Sequence, residues 1–220
     1  MLKLFRSSCV QGAFFGLFAV LTVSSAQAQV TALDRQLERV DVAVSGMAVF
    51  TKGVSGTNSL DEVNYGSPDV TLNASSTVGA LVQARYTKSP FMGLEFNYSY
   101  ARFTENFSVP PNGVQTNASE YTIGYVAHLP SILGFQPFAS AGAGATAFKP
   151  TPLGGQSLPE RARASYYYDI GLDDQLTRFI GVRAQFQQVF YKAPDFGQNY
   201  LTINQQTFTT EPSVGVYIKF

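Results

Sequence analysis

Apolar and polar residues alternate with a period of two along most of the chain after residue 39. Between Gly93 and Ala101 the even-numbered positions carry large apolar or aromatic side chains, and the odd-numbered positions carry small, polar or charged ones. A two-residue period is typical of a β-strand with one apolar and one polar face. The same pattern predicts seven strands, at about 40–45, 77–86, 93–103, 120–129, 166–173, 180–187 and 213–220. An Ala/Gly-rich segment at about 136–148, whose parity is ambiguous, is predicted as the eighth.

The connections between these strands alternate in length. Short turns are expected at 88–90, 130–134 and 174–178. Long polar loops, rich in Gly, Pro, Asn and Thr, are expected at Thr51–Ser76, Thr104–Asn117, Lys149–Arg161 and Lys192–Glu211. Because consecutive strands run in opposite directions, the long loops should gather at one end of the fold.

Two kinds of barrel fit eight alternating strands: a soluble lipocalin-like barrel with apolar residues inside, and a membrane barrel with apolar residues outside. The polar faces are rich in glycine and small residues, which suits the narrow interior of eight strands. The apolar faces carry groups as large as Phe96, Ile123 and Phe186, for which that interior has little room. The pattern therefore predicts an all-β fold, an eight-stranded antiparallel up-and-down transmembrane β-barrel.

The amino-acid composition argues against several classes of protein. The 220 residues are 45% apolar and 14% aromatic, but only 14% are charged and the net charge is 0. Soluble domains usually carry roughly 25% charged residues. The composition argues against a disordered chain, a coiled coil or a nucleic-acid partner.

The first residues have the form of an export signal. Lys3 and Arg6 precede an apolar stretch at 13–23, and Ala26-Gln27-Ala28 provides a small-x-small cleavage site. We therefore predict a cleaved signal peptide at 1–28, a short periplasmic segment at 29–39 and a barrel domain at 40–220. The single cysteine, Cys9, falls in the signal, so the mature chain should carry no thiol.

Three strand segments carry a family resemblance: the last eight residues, Ser213–Phe220; the run Gly93–Tyr98; and Pro137-Phe138 followed by Gly142 and Gly144. They resemble segments of the small bacterial outer-membrane β-barrel family, the group of the OmpA transmembrane domain and OmpX. The resemblance implies a location in the outer membrane, with outer-membrane lipid and the barrel assembly machinery as partners. It also implies an assembly signal in the last strand, formed by Ser213, Gly215, Ile218 and Phe220.

Charged residues on the polar faces are expected to pair inside the barrel. A turn centred near Pro90 would place Arg85 opposite Glu95, and one centred near Leu176 would place Asp169 opposite Arg183. A charge in a narrow lumen is unfavourable unless it is paired, so these four residues are predicted to form structural ion pairs that plug the interior. The alternative is a gate or ion path through the same residues.

The sequence contains no recognisable set of catalytic or cofactor-binding residues. His128, the only histidine, should face inwards near the short-turn end with a structural role, so we do not expect an enzyme. The sequence has neither a Cys/His cluster nor an acidic calcium loop, and the glycines of 142–145 lie within a strand. We therefore expect no metal and no cofactor.

The expected function is a structural or surface-interaction (adhesin-like) role through the long extracellular loops, with an extracellular surface partner. Thr51–Ser76 and Lys192–Glu211 are the leading binding segments, because loops on a rigid scaffold commonly carry binding residues. Three alternatives remain: a narrow channel or hydrophobic-ligand conduit, a lipid-modifying outer-membrane enzyme, and a soluble exported binding barrel.

Overall fold

The computed structural model describes residues 36–57, 69–108, 111–196, 203 and 205–220. The expected signal peptide lies outside the described residues. None of the helical structure described is long and apolar enough to span a membrane. The ten strands are β1 (Val40–Thr51), β2 (Val54–Thr57), β3 (Asp69–Ala74), β4 (Thr77–Ser89), β5 (Met92–Phe107), β6 (Asn112–His128), β7 (Phe135–Pro150), β8 (Arg161–Asp174), β9 (Ile180–Lys192) and β10 (Gln206–Lys219).

Eight of these strands close into an antiparallel barrel. From β4 to β10 each strand pairs with the next, and β1 pairs with both β4 and β10, so the sheet returns to its start. The two short strands, β2 and β3, form a hairpin that pairs with the outer end of β5. The predicted eight-stranded antiparallel barrel is confirmed, and the hairpin is an addition that the sequence pattern did not predict.

The side chains are arranged inside out relative to a soluble protein. In β5 the odd-numbered residues are buried and the even-numbered residues are at least partly exposed over the whole strand. The exposed apolar residues of the outer wall include Val44, Val82, Leu94, Phe96, Ile123, Ile170, Leu172, Phe186, Val214 and Val216. This is the predicted inversion, and it gives the barrel an apolar outer belt of the kind that faces lipid.

The barrel interior has two tiers. In the half nearest the short turns most inward residues are polar or charged, as predicted, and they are interspersed with the buried apolar residues Ala43, Val126, Phe138 and Tyr217. In the half nearest the long loops they form a hydrophobic cluster, here called the outer core, which the alternation did not predict. Its members are Met47, Val49, Val54, Val70, Leu72, Leu81, Ala101, Phe103, Phe107, Val114, Phe148, Tyr167, Val189, Tyr191, Ala193, Phe196 and Ile203.

The outer core explains why the long loops are shorter than predicted. The expected loop Thr104–Asn117 is mostly a continuation of the β5–β6 hairpin, and β10 begins at Gln206 instead of near residue 212. The inward parity continues into these extensions, where Phe107 and Val114 are buried. A strand with a buried apolar face remains folded beyond the membrane, because burial compensates for the entropy of ordering it.

Strand β7 has small residues on both faces. Its outward positions form an alanine row, and its inward positions include Gly142 and Gly144. The neighbouring strands place tyrosines and isoleucines beside this row, with Tyr121 opposite Ala145 and Tyr166 opposite Ala143. The row consists of Ala139, Ala141, Ala143, Ala145 and Ala147.

Candidate functional site

The lower tier of the lumen contains a buried network around two arginines. The register places Arg85 on β4 opposite Glu95 on β5, across the turn at Pro90 and Phe91. The Arg85 Nε group donates a hydrogen bond to Glu95, and both side chains are fully buried. A buried ion pair of this kind requires its remaining polar atoms to be satisfied as well.

Neighbouring polar groups meet part of that requirement at Glu95. The Asn97 amide donates to Glu95 Oε1 over 2.8 Å, and the Tyr167 hydroxyl donates to the same oxygen over 3.3 Å. Gln83 in turn donates to the Asn97 amide oxygen at 3.1 Å. The lower tier is thus a connected hydrogen-bond network.

Arg183 does not pair with Asp169, so the predicted Asp169–Arg183 pair is wrong. Arg183 lies opposite Asp173, to which its Nε and Nη2 atoms donate at 2.7 and 2.9 Å, and Nη2 also reaches Asp41 at 3.0 Å. The Thr177 hydroxyl accepts hydrogen bonds from the backbone N–H groups of Phe179 and Ile180. These bonds centre the turn near residue 178, two residues later than expected, which moves the cross-strand partner of Arg183 by four.

Asp169 lies opposite Gln187 instead. It is buried, and its Oδ2 atom accepts a hydrogen bond from the Ser140 hydroxyl at 2.6 Å. Ser140 Oγ also lies 3.1 Å from Glu95 Oε1. Asp169 therefore joins the network around Glu95 through a serine and not through an arginine.

Aromatic rings fill the space beside the arginines. The guanidinium carbon of Arg85 lies 3.9 Å from the centre of the Phe138 ring, and that of Arg183 lies 5.5 Å from the same ring and 5.0 Å from the Tyr217 ring. Cations over aromatic faces gain further stabilisation when they are desolvated. We call Arg85, Glu95, Phe138, Asp173 and Arg183 the plug, because together they occupy the lower lumen.

His128 faces inwards at the short-turn end, where its ring lies 6.3 Å from that of Phe138. Its Nδ1 atom has no hydrogen-bond partner among the described residues. The part of the chain that the structure describes contains no group of three or more His, Cys, Asp or Glu residues placed to hold a metal. The geometry therefore shows neither a Ser/His/Asp arrangement at His128 nor a multi-carboxylate metal centre in these ranges.

Three buried carboxyl groups lie in the upper tier, and sequence reasoning gave none of them a role. Glu105, Glu120 and Glu211 all face inwards beside or within the outer core. Glu120 stands at the start of the predicted strand 120–129, and Glu211 ends the predicted loop Lys192–Glu211. Extending the two-residue alternation beyond the predicted strand ends would have placed Glu105 and Glu211 inside as well.

The predicted assembly signal is divided between the two faces of β10. Ser213 points into the lumen, and Gly215 packs closely against Ser45. Ile218 and Phe220 are exposed on the outer wall at the short-turn end. The Phe220 backbone N–H donates to the Val40 carbonyl at 3.2 Å, next to the seam between β1 and β10.

Replacing Phe220 with alanine is expected to lower the outer-membrane yield several-fold, because the exposed terminal aromatic is the feature that the assembly machinery is predicted to recognise. The matched control is Phe179→Ala, since both rings are 55% exposed at the same end of the barrel. Membrane fractionation and heat-modifiability on gels would measure the folded yield. Equal yields for the two variants would contradict the assembly signal.

The outer mouth of the barrel carries an ordered loop at residues 151–160. Its backbone is tied to β6 by a hydrogen bond from Thr151 N–H to the Gln115 carbonyl at 2.8 Å and one from Gln115 N–H to the Gly154 carbonyl at 2.9 Å. The Gln156 side chain adds a bond to the Gly113 carbonyl at 3.0 Å. Leu153 is fully exposed within this loop.

The closed barrel, its apolar outer belt and its filled lumen define a small outer-membrane β-barrel protein. In barrels of this class the short turns face the periplasm and the longer loops face the outside.

No protein-family model and no curated protein matches the sequence. Among solved structures, the chain is similar to the outer membrane protein OprG of Pseudomonas aeruginosa, with a TM-score of 0.58 at 14% identity over 82% of this chain and 95% of that one. It is also similar to the attachment invasion locus protein Ail of Yersinia pestis (TM-score 0.46, 15% identity, 83% and 99% coverage). Neisserial surface protein A gives a TM-score of 0.47 at 15% identity, with 81% and 97% coverage. At such identities the OprG likeness shows a shared fold.

Proposed function

We propose that this outer-membrane barrel acts in surface interaction, through a binding face at its outer mouth. The observation that carries the proposal is the outer core. Side chains from β1, β5, β7 and β9 pack there against Val70 and Leu72 of β3 and against Phe196 and Ile203 of the last long loop. The outer end is therefore a folded platform that can present residues in fixed positions.

The loop at 151–160 is the part of this platform best suited to contact a partner. Backbone hydrogen bonds hold it against β6, and Leu158 packs against the outer core. Leu153 projects into solvent from this anchored loop. Because the loop is already ordered, binding through it would lose little further conformational entropy.

The channel alternative receives less support from the geometry. The plug places two arginines, their carboxylate partners and Phe138 across the lower lumen, and the outer core fills the upper lumen. Eight-stranded barrels commonly have interiors filled by side chains. A conducting path would require both tiers to rearrange.

Bacteria that display the barrel are expected to adhere to a panel of immobilised matrix proteins and glycans more than cells carrying an empty vector do. Leu153→Ser should abolish the gain, since it removes the exposed apolar anchor. The matched control is Leu133→Ser, because Leu133 is 93% exposed in a turn at the opposite end of the barrel. Adhesion would be counted at equal surface expression. The proposal fails if the barrel confers no adhesion, or if both substitutions reduce it equally.

A further inference from the structure

The barrel wall has a notch at the outer ends of β8 and β9. The pairing of β8 with β9 ends at Ser165 and Tyr191, although β8 itself continues outwards. After Lys192 the chain leaves the wall, and Phe196 lies buried in the outer core. Residues 161–164 therefore pair with β7 on one side and with no described strand on the other.

The notch contains a cavity of about 350 Å³. Ligand sites in proteins commonly have volumes of roughly 300–1,000 Å³. Most of the lining side chains lie on the outward parity, so the notch belongs to the outer wall and not to the lumen. The lining includes Ala162, Arg163, Ala164, Tyr166, Phe190 and Lys192.

The notch lies at the level of the lipid headgroups. Tyr166 and Phe190 lie opposite each other on the outer wall and form its boundary towards the membrane centre. Outwards of this aromatic pair, Lys192 is the first charged residue on the outward face of β9, and its side chain is exposed. Aromatic rings concentrate at the membrane–water interface, where basic side chains attract anionic headgroups.

The notch carries an excess of positive charge. Arg163 and the neighbouring Arg161 share one carboxylate, Asp195, at 3.1 and 3.8 Å. The Arg163 Nε–H group is buried without an acceptor among the described residues, which is unfavourable unless a ligand supplies one. No ion pair within the described ranges includes Lys192, and Glu160 does not line the notch.

Small apolar side chains lie beside these cations. Ala162 and Ala164 line the β8 side of the notch, and the register places them opposite Ala147 and Ala145 of the alanine row. The four methyl groups form a shallow trough, which continues along the alanine row towards the membrane centre. Cations at headgroup level above an apolar trough suit an anionic lipid.

We propose that the notch binds a phosphate group of lipopolysaccharide, the phosphorylated glycolipid of the outer leaflet. Lys192 and the Arg163 Nε–H group donate charge-assisted hydrogen bonds to the phosphate oxygens. A phosphate monoester carries about two negative charges and three terminal oxygens, so it can engage both cations at once. An acyl chain of the same molecule lies in the trough over Ala162 and Ala164. The phospholipids of the inner leaflet are at the opposite end of the barrel.

The test uses the full barrel, folded in neutral detergent and titrated with lipid A, the phosphorylated anchor of lipopolysaccharide. Native mass spectrometry would count the bound lipid and give its affinity. Lys192→Gln should weaken binding about five-fold, the effect of one basic residue near an anionic headgroup. Ala164→Phe should weaken it at least as much, because the larger ring fills the notch without changing its charge. Dephosphorylated lipid A should bind less tightly to the wild-type barrel.

The matched control is Lys149→Gln, which removes an exposed lysine at the outer end of β7 that does not line the notch. It should leave the affinity unchanged. Equal losses for Lys149→Gln and Lys192→Gln would overturn the proposal, since they would show a general attraction between the lipid and basic residues.

Three further results would overturn the proposal by assigning the notch to another occupant. Phosphatidylglycerol binding as tightly as lipid A would show no selection for the outer-leaflet glycolipid. Displacement of lipid A by millimolar inorganic phosphate would assign the notch to the free anion. A stable dimer that Ala164→Phe abolishes would mean that a second copy of the chain pairs with the free edge of β8.

Discussion

Arg183→Ala is expected to destabilise the barrel by about 3–5 kcal/mol, the range typical of removing one partner of a buried ion pair. Arg183 holds Asp173 through two hydrogen bonds and Asp41 through a third. Its loss would leave Asp173 dependent on Arg85, which lies 3.5 Å away and already binds Glu95. Unfolding in urea, followed by circular dichroism in detergent or lipid vesicles, would measure the change.

The matched control for this prediction is Arg178→Ala. Arg178 is an exposed arginine in the turn that precedes β9, and its guanidinium lies 5.4 Å from the Phe179 ring. Its removal should cost no more than about 0.5 kcal/mol. Adding Asp173→Asn to Arg183→Ala should recover part of the lost stability, because it removes the uncompensated charge. Similar losses for Arg183→Ala and Arg178→Ala would show that the plug does not stabilise the fold.

Gly124→Ala is expected to destabilise the barrel by about 1–3 kcal/mol, as overpacking of a filled interior does. A Cβ atom at Gly124 would meet the Ala141 carbonyl and lie 2.5 Å from the Tyr167 hydroxyl. The Tyr167 ring also lies over Gly142, so it has little space into which to retreat. The heat-modifiability midpoint and urea unfolding would measure the loss.

Gly46→Ala is the matched control for this substitution. Gly46 is an outward-facing strand glycine, and a Cβ atom there would meet nothing within 4 Å. Gly→Ala at a position with room and a permissive backbone is neutral or slightly stabilising. Equal losses at Gly46 and Gly124 would mean that strand glycines matter for some reason other than the space taken by Tyr167.

The barrel strands could be predicted from sequence because, in a β-strand with one buried face, both the direction of the side chains and their burial alternate every two residues. In β5 that period holds from Gly93 to Phe107 without interruption. A one-residue error would have turned every apolar side chain to the other face, so the choice of faces was strongly determined. Because the polar face carries small residues, it was assigned to the narrow lumen, and the apolar face was assigned to the lipid-facing wall.

The pairing of Arg183 could not be predicted in the same way. The cross-strand partner depends on where the turn is centred, and here the Thr177 hydroxyl and two backbone N–H groups determine that centre. Moving the centre of the turn by two residues leaves every residue on the same face of its strand. The alternation of apolar and polar positions is therefore the same for both positions of the turn. The pattern therefore determined the face on which Arg183 lies but not its cross-strand neighbour.

The outer core was missed for a related reason. The inward-facing positions are polar in the part of each strand that lies at membrane level. Above that level they carry apolar residues such as Phe103, Phe148 and Tyr191. The parts of the strands that extend beyond the lipid are surrounded by water. Their inward side chains are therefore apolar and form a dry core, whereas the inward side chains at membrane level are polar. The polar outward residues of segments 104–107 and 112–117 predict loops, although Phe107 and Val114 on the inward parity are apolar and buried.

The plug and the outer core together leave the outer mouth as the surface that can vary with least effect on the fold. The plug residues are tied to one another, and the outer core links seven barrel strands to two long loops. Two backbone hydrogen bonds hold loop 151–160 against β6, and the side chains of Thr151 and Gln156 add others. The remaining side chains of the loop, such as the exposed Leu153, can change without loss of these contacts. The proposed binding role uses this part of the molecule.

The alanine row of β7 also has a mechanical consequence. With methyl groups outside and Gly142 and Gly144 inside, β7 is the thinnest stretch of the barrel wall. Between Ala139 and Ala147 the outer wall of this strand presents only the methyl groups of the alanine row, so we expect pressure from the surrounding bilayer to bend the cylinder along this line first. The circular cross-section of the barrel should therefore become elliptical in one preferred direction, with the sharpest bend at β7.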